Sequence, residues 1–418
     1  MKIGAIIAEY NPFHNGHRYQ IEKFRQEQQL DYILIIMSGN FTQRGEPAWM
    51  PKYLRTRAAL MGGADLVIEL PAYYATGSAS LFAEGAVSHL NALNCIDMLC
   101  FGCEVRENEE IHREQLKKAA ALLAKEPEEF KQELSRLLKT GLSYPSARAA
   151  ALDKFIEYPE FLSLPNNILA LEYMLALKKT GSGICPFPIQ RKGEGYHSTK
   201  VDEIFTSASA LRQSLGRPLS IEDFKNIPET HWIGIPEETR RMMTDYYGRE
   251  FPMMMDDFTA MFAAAFMRSS DKLTTCPDMN DDLAHRMRRC FDHYVKLTDF
   301  LMEVKNKAYT YSRLSRCASH ILLEQNKEIL NQARHDGYAY YARILGFRKS
   351  AAPLLNCIKK RSDIPLIGKM ADSRKILRGN GLQLMKTDVL AADYYRTALQ
   401  IKYGNVMKNE FNQGIIII

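Results

Sequence analysis

Four continuous apolar runs recur in the first hundred residues, "KIGAIIA", "DYILIIMSG", "ADLVIELP" and "CIDMLCFG", each followed by a stretch with apolar residues at helical spacing. The runs lack the every-other-residue polar pattern of a strand with one wet face, so both faces of each strand need cover, as in a parallel sheet flanked by helices. The intervening segments "RYQIEKFRQEQQ", "KYLRTRAALMGG" and "ASLFAEGAVSHLNAL" read as those helices, the second with a glycine stop. A repeated β-α unit in one sheet takes right-handed crossovers and gives a doubly wound α/β domain. Ligands bind such sheets beyond the carboxyl ends of the strands. That singles out the loops "EYNPFHNGH", "SGNFTQRGEP", "LPAYYATGS" and "FGCE".

Residues from about 105 to 182 read as charged helices, with "SLPNNILALEYMLALKKTG" a capped amphipathic one ended by Gly181. "ICPFPIQRKG" reads as a returning strand and "TSASALRQSL" as a Ser/Thr-rich helix start. Beyond residue 219 the strand signal largely vanishes and helical patterns dominate, without an internal repeat. The expected class is therefore α/β: a Rossmann-like parallel-sheet domain over 1–218 and a separate, mostly α-helical domain over 219–418. The terminal "GIIII" is an apolar tail with no functional reading.

The 418-residue length suits two or three domains, and a hydrophobic fraction of 46% supports a sizeable core. No run approaches the roughly eighteen apolar residues of a membrane span, and the N-terminus lacks a cleavable signal pattern, so a cytoplasmic protein is expected. Seven spacings among the eight cysteines include one close pair, Cys100 and Cys103, which reads as two reduced thiols because no second pair with metal-ligand spacing follows. The net charge of +6 is mild, but basic residues cluster after about residue 285, where a polyanion would bind.

The chemistry concentrates in "IIAEYNPFHNGHRYQ". If a helix begins near Asn15 or Gly16, the three-residue spacing of His14 and His17 puts both rings on one side of its first turn, able to donate to phosphate oxygens. Gly16 admits a ligand close to the backbone, Asn11-Pro12 sets the turn out of the strand, and the free N–H groups of the helix start favour an anion. Two histidines on a loop are unspecific alone; the order of strand, turn, paired histidines and helix start is what carries weight.

"AEYNPFHNGH" resembles the signature of the HIGH-motif nucleotidyltransferase superfamily. That resemblance implies attack on the α-phosphate of a nucleoside triphosphate, with His14 and His17 as the catalytic pair. "TSASALR" is similar to the superfamily's second element, placing Ser207, Ser209 and Arg212 on the phosphates. A wider set of motifs, "MSGNFTQRGEPA", "KYLRTRAALMGGADLVIELP", "FGCE", "PNNILALEY", "QRKGEGYH", "AYTYSRLSR" and "YARILGF", resembles the tRNA(Met) cytidine acetate ligase family over most of the chain. This implies ATP-dependent activation of acetate to acetyl-adenylate, then acetylation of N4 of the wobble cytidine of elongator tRNA(Met), with ATP carried in company with Mg²⁺. The implied ATP contacts are Ile7, Ala8, Glu9, Tyr10, Asn11, Pro12, Phe13, His14, Asn15, Gly16, His17, Arg18, Tyr19 and Gln20, with Gly102, Asn167 and Arg191. Cys103 stands where the family pattern has Ser, and Ser209 where Thr is commoner. The alternative is a small-molecule adenylyltransferase of the same superfamily with a helical oligomerisation domain.

Several residues carry two readings. Asn167 serves equally as a helix cap. Arg191, beside "GEGYH", reads as a fork for phosphate. Glu104 and Asp65 read as ordinary carboxylates before Mg²⁺ ligands, and Arg44 as a mobile loop charge. In the basic half, tyrosines interleave with Arg and Lys in "EVKNKAYTYSRLSR" and "YAYYARILGFRK", the composition that pairs phosphate contacts with base stacking. Lys305, Lys307, Arg313, Arg316 and Arg343 are the RNA contacts expected there.

Overall fold

The computed structural model describes residues 1–104, 109–142, 144–157, 164–191, 206–215 and 220–418. The four apolar runs form strands β1 (Ile3–Ala8), β2 (Tyr32–Ser38), β3 (Leu66–Leu70) and β4 (Met98–Cys103), and the returning segment forms β5 (Cys185–Gln190). Helices α1 (Asn15–Gln28), α2 (Lys52–Met61), α3 (Ala72–Ala75) and α4 (Ala79–Ala92) connect the first four. The five strands are parallel in the order β5-β4-β1-β2-β3. The chain winds outward from β1 through β2 and β3, then returns to β4 on the other side of β1. The crevice between the ends of β1 and β4 is thus the switch point where such sheets bind ligands.

The covered-on-both-faces expectation holds residue by residue. Along β2, Leu34 and Ile36 join the core that α4 and the helix Pro165–Lys179 cover, whereas Ile33, Ile35 and Met37 join the core beneath α1 and α2. Successive side chains point to opposite faces, and both are dry.

The sheet does not end with β5. The C-terminal half supplies β6 (Ala342–Phe347), antiparallel to β3, and two short strands parallel to β6, β7 (Leu366–Ile367) and β8 (Ile416–Ile417). A cut at residue 219 therefore runs through the sheet. Residues 224–251 pack onto the α1/α2 face through Phe224, Trp232 and Phe251, and a helical core of its own spans Met255 to Ile321. The apolar tail has a structural account: Ile416 and Ile418 pack on the α2 side and Ile418 exchanges backbone hydrogen bonds with Phe347 and Lys349, which covers part of the β6 edge. Among the described residues no helix is long and apolar enough to cross a membrane.

Candidate active site

The chain leaves β1 through Tyr10, which has a positive φ of 50°, and a cis Asn11–Pro12 bond. Asn11 Oδ1 accepts from Trp49 N (2.7 Å), and the Phe13 ring lies where any side chain at Gly62 would sit. The turn is thereby fixed against α2 before the helix begins.

His14 is the N-cap of α1, an unusual residue for that place. Its Nδ1 accepts from Gly16 N (3.1 Å), and His17 Nδ1 in turn accepts from His14 N (3.3 Å), so the two imidazoles form a reciprocal capping box. The rings stack with centroids 3.6 Å apart, and a Cβ at Gly16 would come within 2.9 Å of His14 Cε1. Glycine is required there for the cap itself. Burial first, then the guanidiniums of Arg191 and Arg212, lower the His14 pKa to about 3. Burial, His14 and Arg191 likewise hold His17 well below the ordinary imidazole range. Both rings are neutral at working pH. Because each Nδ1 accepts a backbone N–H, the single ring proton belongs on Nε2, and among the described residues neither Nε2 has a protein partner. The arrangement offers two neutral donors side by side at a helix N-terminus.

The two arginines that perturb His14 come from the segments expected beside it. Arg191 follows β5, donates its backbone N–H to Cys103 O (2.9 Å), and lays its side chain over Gly102, where a Cβ would meet Arg191 Cγ at 3.1 Å. The rest of "KGEGYH" lies outside the described residues. Arg212, on the helix Ala208–Leu215, donates to Asn11 O (2.6 Å) and reaches Ser209 Oγ (3.4 Å), while Ser207 Oγ accepts from Ala210 N (3.1 Å) at that helix's start. Asn167 is fully buried, and its amide brackets Glu104, accepting from the backbone N (2.8 Å) and donating to the carbonyl (2.9 Å). It holds the exit of β4. Asn166 links both neighbours, donating to the Glu104 carboxylate and accepting from Arg191. Asp65 lies at the amino end of β3, the end of the sheet opposite the site, bound by Arg25 (2.5 Å) and Ile33 N (2.7 Å). Within the first segment Arg18 points away, to Glu22 (2.9 Å), and Gln20 reaches Cys100 Sγ (3.5 Å).

Three of the expected RNA contacts belong to the scaffold. Arg343 is buried, not displayed: it sits in β6 with Lys52, Glu69 and Glu410, two cations against two carboxylates, pairing Glu69 at 2.9 Å and hydrogen-bonding Glu410. Its guanidinium cannot reach a nucleic acid. Arg316 pairs with Asp278 (2.7 Å), and Arg313 donates to Asp278 O (2.9 Å) while lying over the Tyr309 ring. Both fasten the helix Tyr311–Leu322 to its neighbour. Lys305 and Lys307 are exposed on the segment just before that helix.

The residues from Gly39 to Met50 are fastened rather than loose. Gly45, at φ 73°, has its carbonyl held by Ser315 Oγ (3.0 Å) and Ser319 Oγ (2.6 Å), and its Cα faces the Arg316 backbone with no room for a side chain. Gln43 N donates to Glu9 Oε1 (2.7 Å) and Gln43 Nε2 to Gly77 O (3.2 Å). Arg44 is exposed at this fixed tip, not on a mobile one.

A positioning residue escaped the sequence reading. Arg55 on α2 is wholly buried and donates only to carbonyls: Met50 O (2.9 Å), Glu9 O (2.5 Å), Ser38 O (3.1 Å) and Gly39 O. One planar fork gathers the carboxyl ends of β1 and β2. Its signal was available, since position 55 falls on the same helical stripe as Leu54, Ala58 and Ala59.

A family model described as HIGH Nucleotidyl Transferase matches residues 1–410. The tRNA(Met) cytidine acetate ligase of Thermoanaerobacter sp. (strain X514) is 36% identical over 402 residues, covering 95% of this chain and 96% of the relative. That of Acetivibrio thermocellus is 34% identical with both chains covered in full. Thermotoga maritima TmcAL bound with alpha-thio ATP superposes with a TM-score of 0.88 at 30% identity, over 100% of this chain and 99% of that one, and its apo form with a TM-score of 0.90. With matches of this extent, the chain belongs to the tRNA(Met) cytidine acetate ligase family, within the HIGH nucleotidyl transferases.

Proposed function

We propose that this chain is an ATP-dependent ligase that joins acetate to ATP as acetyl-adenylate and then acetylates N4 of the wobble cytidine of elongator tRNA(Met). The observation that carries this is the pair of Nε2–H donors of His14 and His17 at the switch point, flanked by Arg191 and Arg212. In the first step an acetate oxygen attacks the α-phosphorus while the bond to the β-phosphate breaks and pyrophosphate leaves. Negative charge grows on the α-phosphate oxygens and the leaving group, and fixed donors there lower the barrier without reorganising.

The ATP site proposed is the Ile7 to Gln20 segment with Gly102, Asn167, Arg191, Ser207, Ser209 and Arg212. Within it Gly102 and Asn167 act on the ligand's surroundings by shaping the end of β4, and the two arginines meet the triphosphate charge. Magnesium is proposed only as the counterion ATP brings: among the described residues no group of three His, Cys, Asp or Glu side chains is placed to hold a metal, and no step is assigned to it. Lys305 and Lys307 remain the proposed RNA contacts, and the cytoplasm the proposed site of action.

The test is pyrophosphate exchange into ATP that depends on acetate, followed by mass analysis of nucleosides from tRNA(Met) incubated with enzyme, ATP and acetate. Exchange that ignores acetate but depends on a nucleotide acceptor would instead mark a small-molecule adenylyltransferase.

A further inference from the structure

Two of the loops beyond the carboxyl ends of the strands, those after β2 and β3, have no part in the reaction above, yet buried polar side chains of the C-terminal half grip both. Ser315 Oγ (3.0 Å) and Ser319 Oγ (2.6 Å), one turn apart on the helix Tyr311–Leu322, donate to the same oxygen, Gly45 O. On that helix His320 Nε2 also lies 3.0 Å from Thr76 O, and Gln325 in the turn beyond donates to Ala72 O (3.3 Å). Apolar contacts alone could join the two halves; satisfied polar ones also specify a single position.

The grip on Gly45 leads to the imidazoles through a continuous set of hydrogen bonds. Residues 40–48 form a small hairpin: Ala48 N donates to Asn40 O (2.8 Å), Phe41 pairs antiparallel with Pro47, Thr42 N donates to Glu46 O (2.9 Å), and Gly45 N closes the tip on Thr42 O (2.9 Å). At the tip Gly45 has a φ of 73°, and a Cβ there would overlap the Arg316 backbone, so only glycine seats on the helix. One flank of the hairpin holds the exit of β1, with Gln43 N on Glu9 Oε1 (2.7 Å), while Gln43 Nε2 reaches Gly77 O (3.2 Å) and ties the two loops together. The base holds the turn itself: Trp49 N donates to Asn11 Oδ1 (2.7 Å), three residues before His14, and Asn11 O receives Arg212 (2.6 Å).

We propose that Ser315 and Ser319 are positioning residues for adenylation: through Gly45 and the hairpin they set the Asn11 turn, and with it the place of the His14 and His17 Nε2–H donors against the α-phosphate. The C-terminal half thereby takes part in a step whose imidazoles lie in the other half. The consequence is kinetic. Charge attraction draws the triphosphate from a distance and tolerates a small shift, whereas a donor to the developing charge does not, and a misplacement of about 1 Å costs up to about 10²-fold in rate. Loss of the seat therefore lowers kcat rather than raising KM for ATP. This assignment rests on the ligase reading above.

The test is acetate-dependent pyrophosphate exchange measured against ATP concentration on the full-length enzyme, at a temperature where each variant's melting curve shows it folded. Changing both serines, Ser315→Ala with Ser319→Ala, is expected to lower kcat by about 10- to 10²-fold, with KM for ATP within about twofold of the wild-type value. Gly45→Ala disturbs the same contact from the other side and shows the same split. Combined with the serine changes it lowers kcat no further than the worse of the two, because all of them break one contact. Either serine changed alone leaves Gly45 O one hydroxyl and shows the split in smaller measure, which serves where the larger change does not fold. A wild-type kcat in the doubly changed enzyme overturns the proposal, as does a raised KM with unchanged kcat, or effects that multiply in the combined variant. Wild-type exchange that depends on a nucleotide in place of acetate sinks the ligase reading alone, and the same variants then read the positioning role in that exchange.

Discussion

His14 has two separable jobs, and replacing it by Ala and by Asn in parallel divides them. As N-cap it satisfies Gly16 N at 3.1 Å and belongs to a box that His17 closes. Loss of an N-cap costs about 1 kcal/mol, and Asn is among the best substitutes for one. As a donor through Nε2 it is expected to hold a phosphate oxygen in the transition state, where loss of one preorganised donor costs about 2.7–4 kcal/mol, or about 10²–10³ in rate. His14→Ala therefore loses both terms, melting at a lower temperature and losing about 10²–10³ in acetate-dependent exchange. His14→Asn keeps the cap and the melting temperature but not the stacked imidazole 3.6 Å above His17, so its exchange stays as low as that of Ala. Exchange restored by Asn to near the wild-type rate would falsify the donor role and reduce His14 to a helix cap.

Other outcomes follow from the same structure. Because His14 is held neutral, with a pKa near 3 against about 6.5 when unfolded, the unfolded chain takes up the proton first as pH falls. The stability this ring contributes is complete above pH 6.5 and drains away between 6.5 and about 3, by about 1.4 kcal/mol per pH unit; denaturant titrations at two pH values in that window should show a shallower slope in His14→Asn. Arg343→Met leaves Glu69 and Glu410 facing Lys52 alone and should destabilise the fold by about 3–5 kcal/mol, seen as a lower urea midpoint. A folded, stable Arg343→Met that lost RNA affinity would return Arg343 to the RNA surface. Lys305→Ala and Lys307→Ala should leave exchange intact, weaken tRNA binding, and each reduce the steepness of its salt dependence by about one unit; an unchanged slope removes them from the interface.

What the sequence disclosed and what it hid divide by the range of the interactions involved. β1 to β5 and α1, α2 and α4 were readable because each carries its own periodicity and stops, and the paired histidines because their geometry is set within one helical turn. β6 was not. Its run "ARILGF" is short and contains an arginine, which in a buried strand demands counterions. Those counterions are Glu410, 67 residues later, and Glu69, in a strand of the other half. No local pattern connects the three, so the arginine passed for a surface cation. The same holds for Arg191 and Arg212: spacing alone could not bring them beside His14, and only the family resemblance placed them there.

The neutrality of the imidazoles bears on why histidine, and not lysine, stands at the head of α1. A lysine would attract ATP, acetyl-adenylate and pyrophosphate alike, lowering the ground state together with the transition state and leaving the barrier between them unchanged. Here Arg191 and Arg212 already supply net charge near the rings. In the reaction proposed above, a neutral Nε2–H contributes little at long range, but its hydrogen bond to a phosphate oxygen would strengthen as that oxygen gains charge, which would concentrate its effect where the phosphorus becomes five-coordinate. For that the proton must sit on Nε2 and nowhere else, and it is the N–H groups of Gly16 and His14, by occupying the two Nδ1 atoms, that put it there. The backbone donors that open the helix thus decide the tautomer of the site, which is why a strand, a turn, a glycine and two histidines have to occur in this order within so few residues.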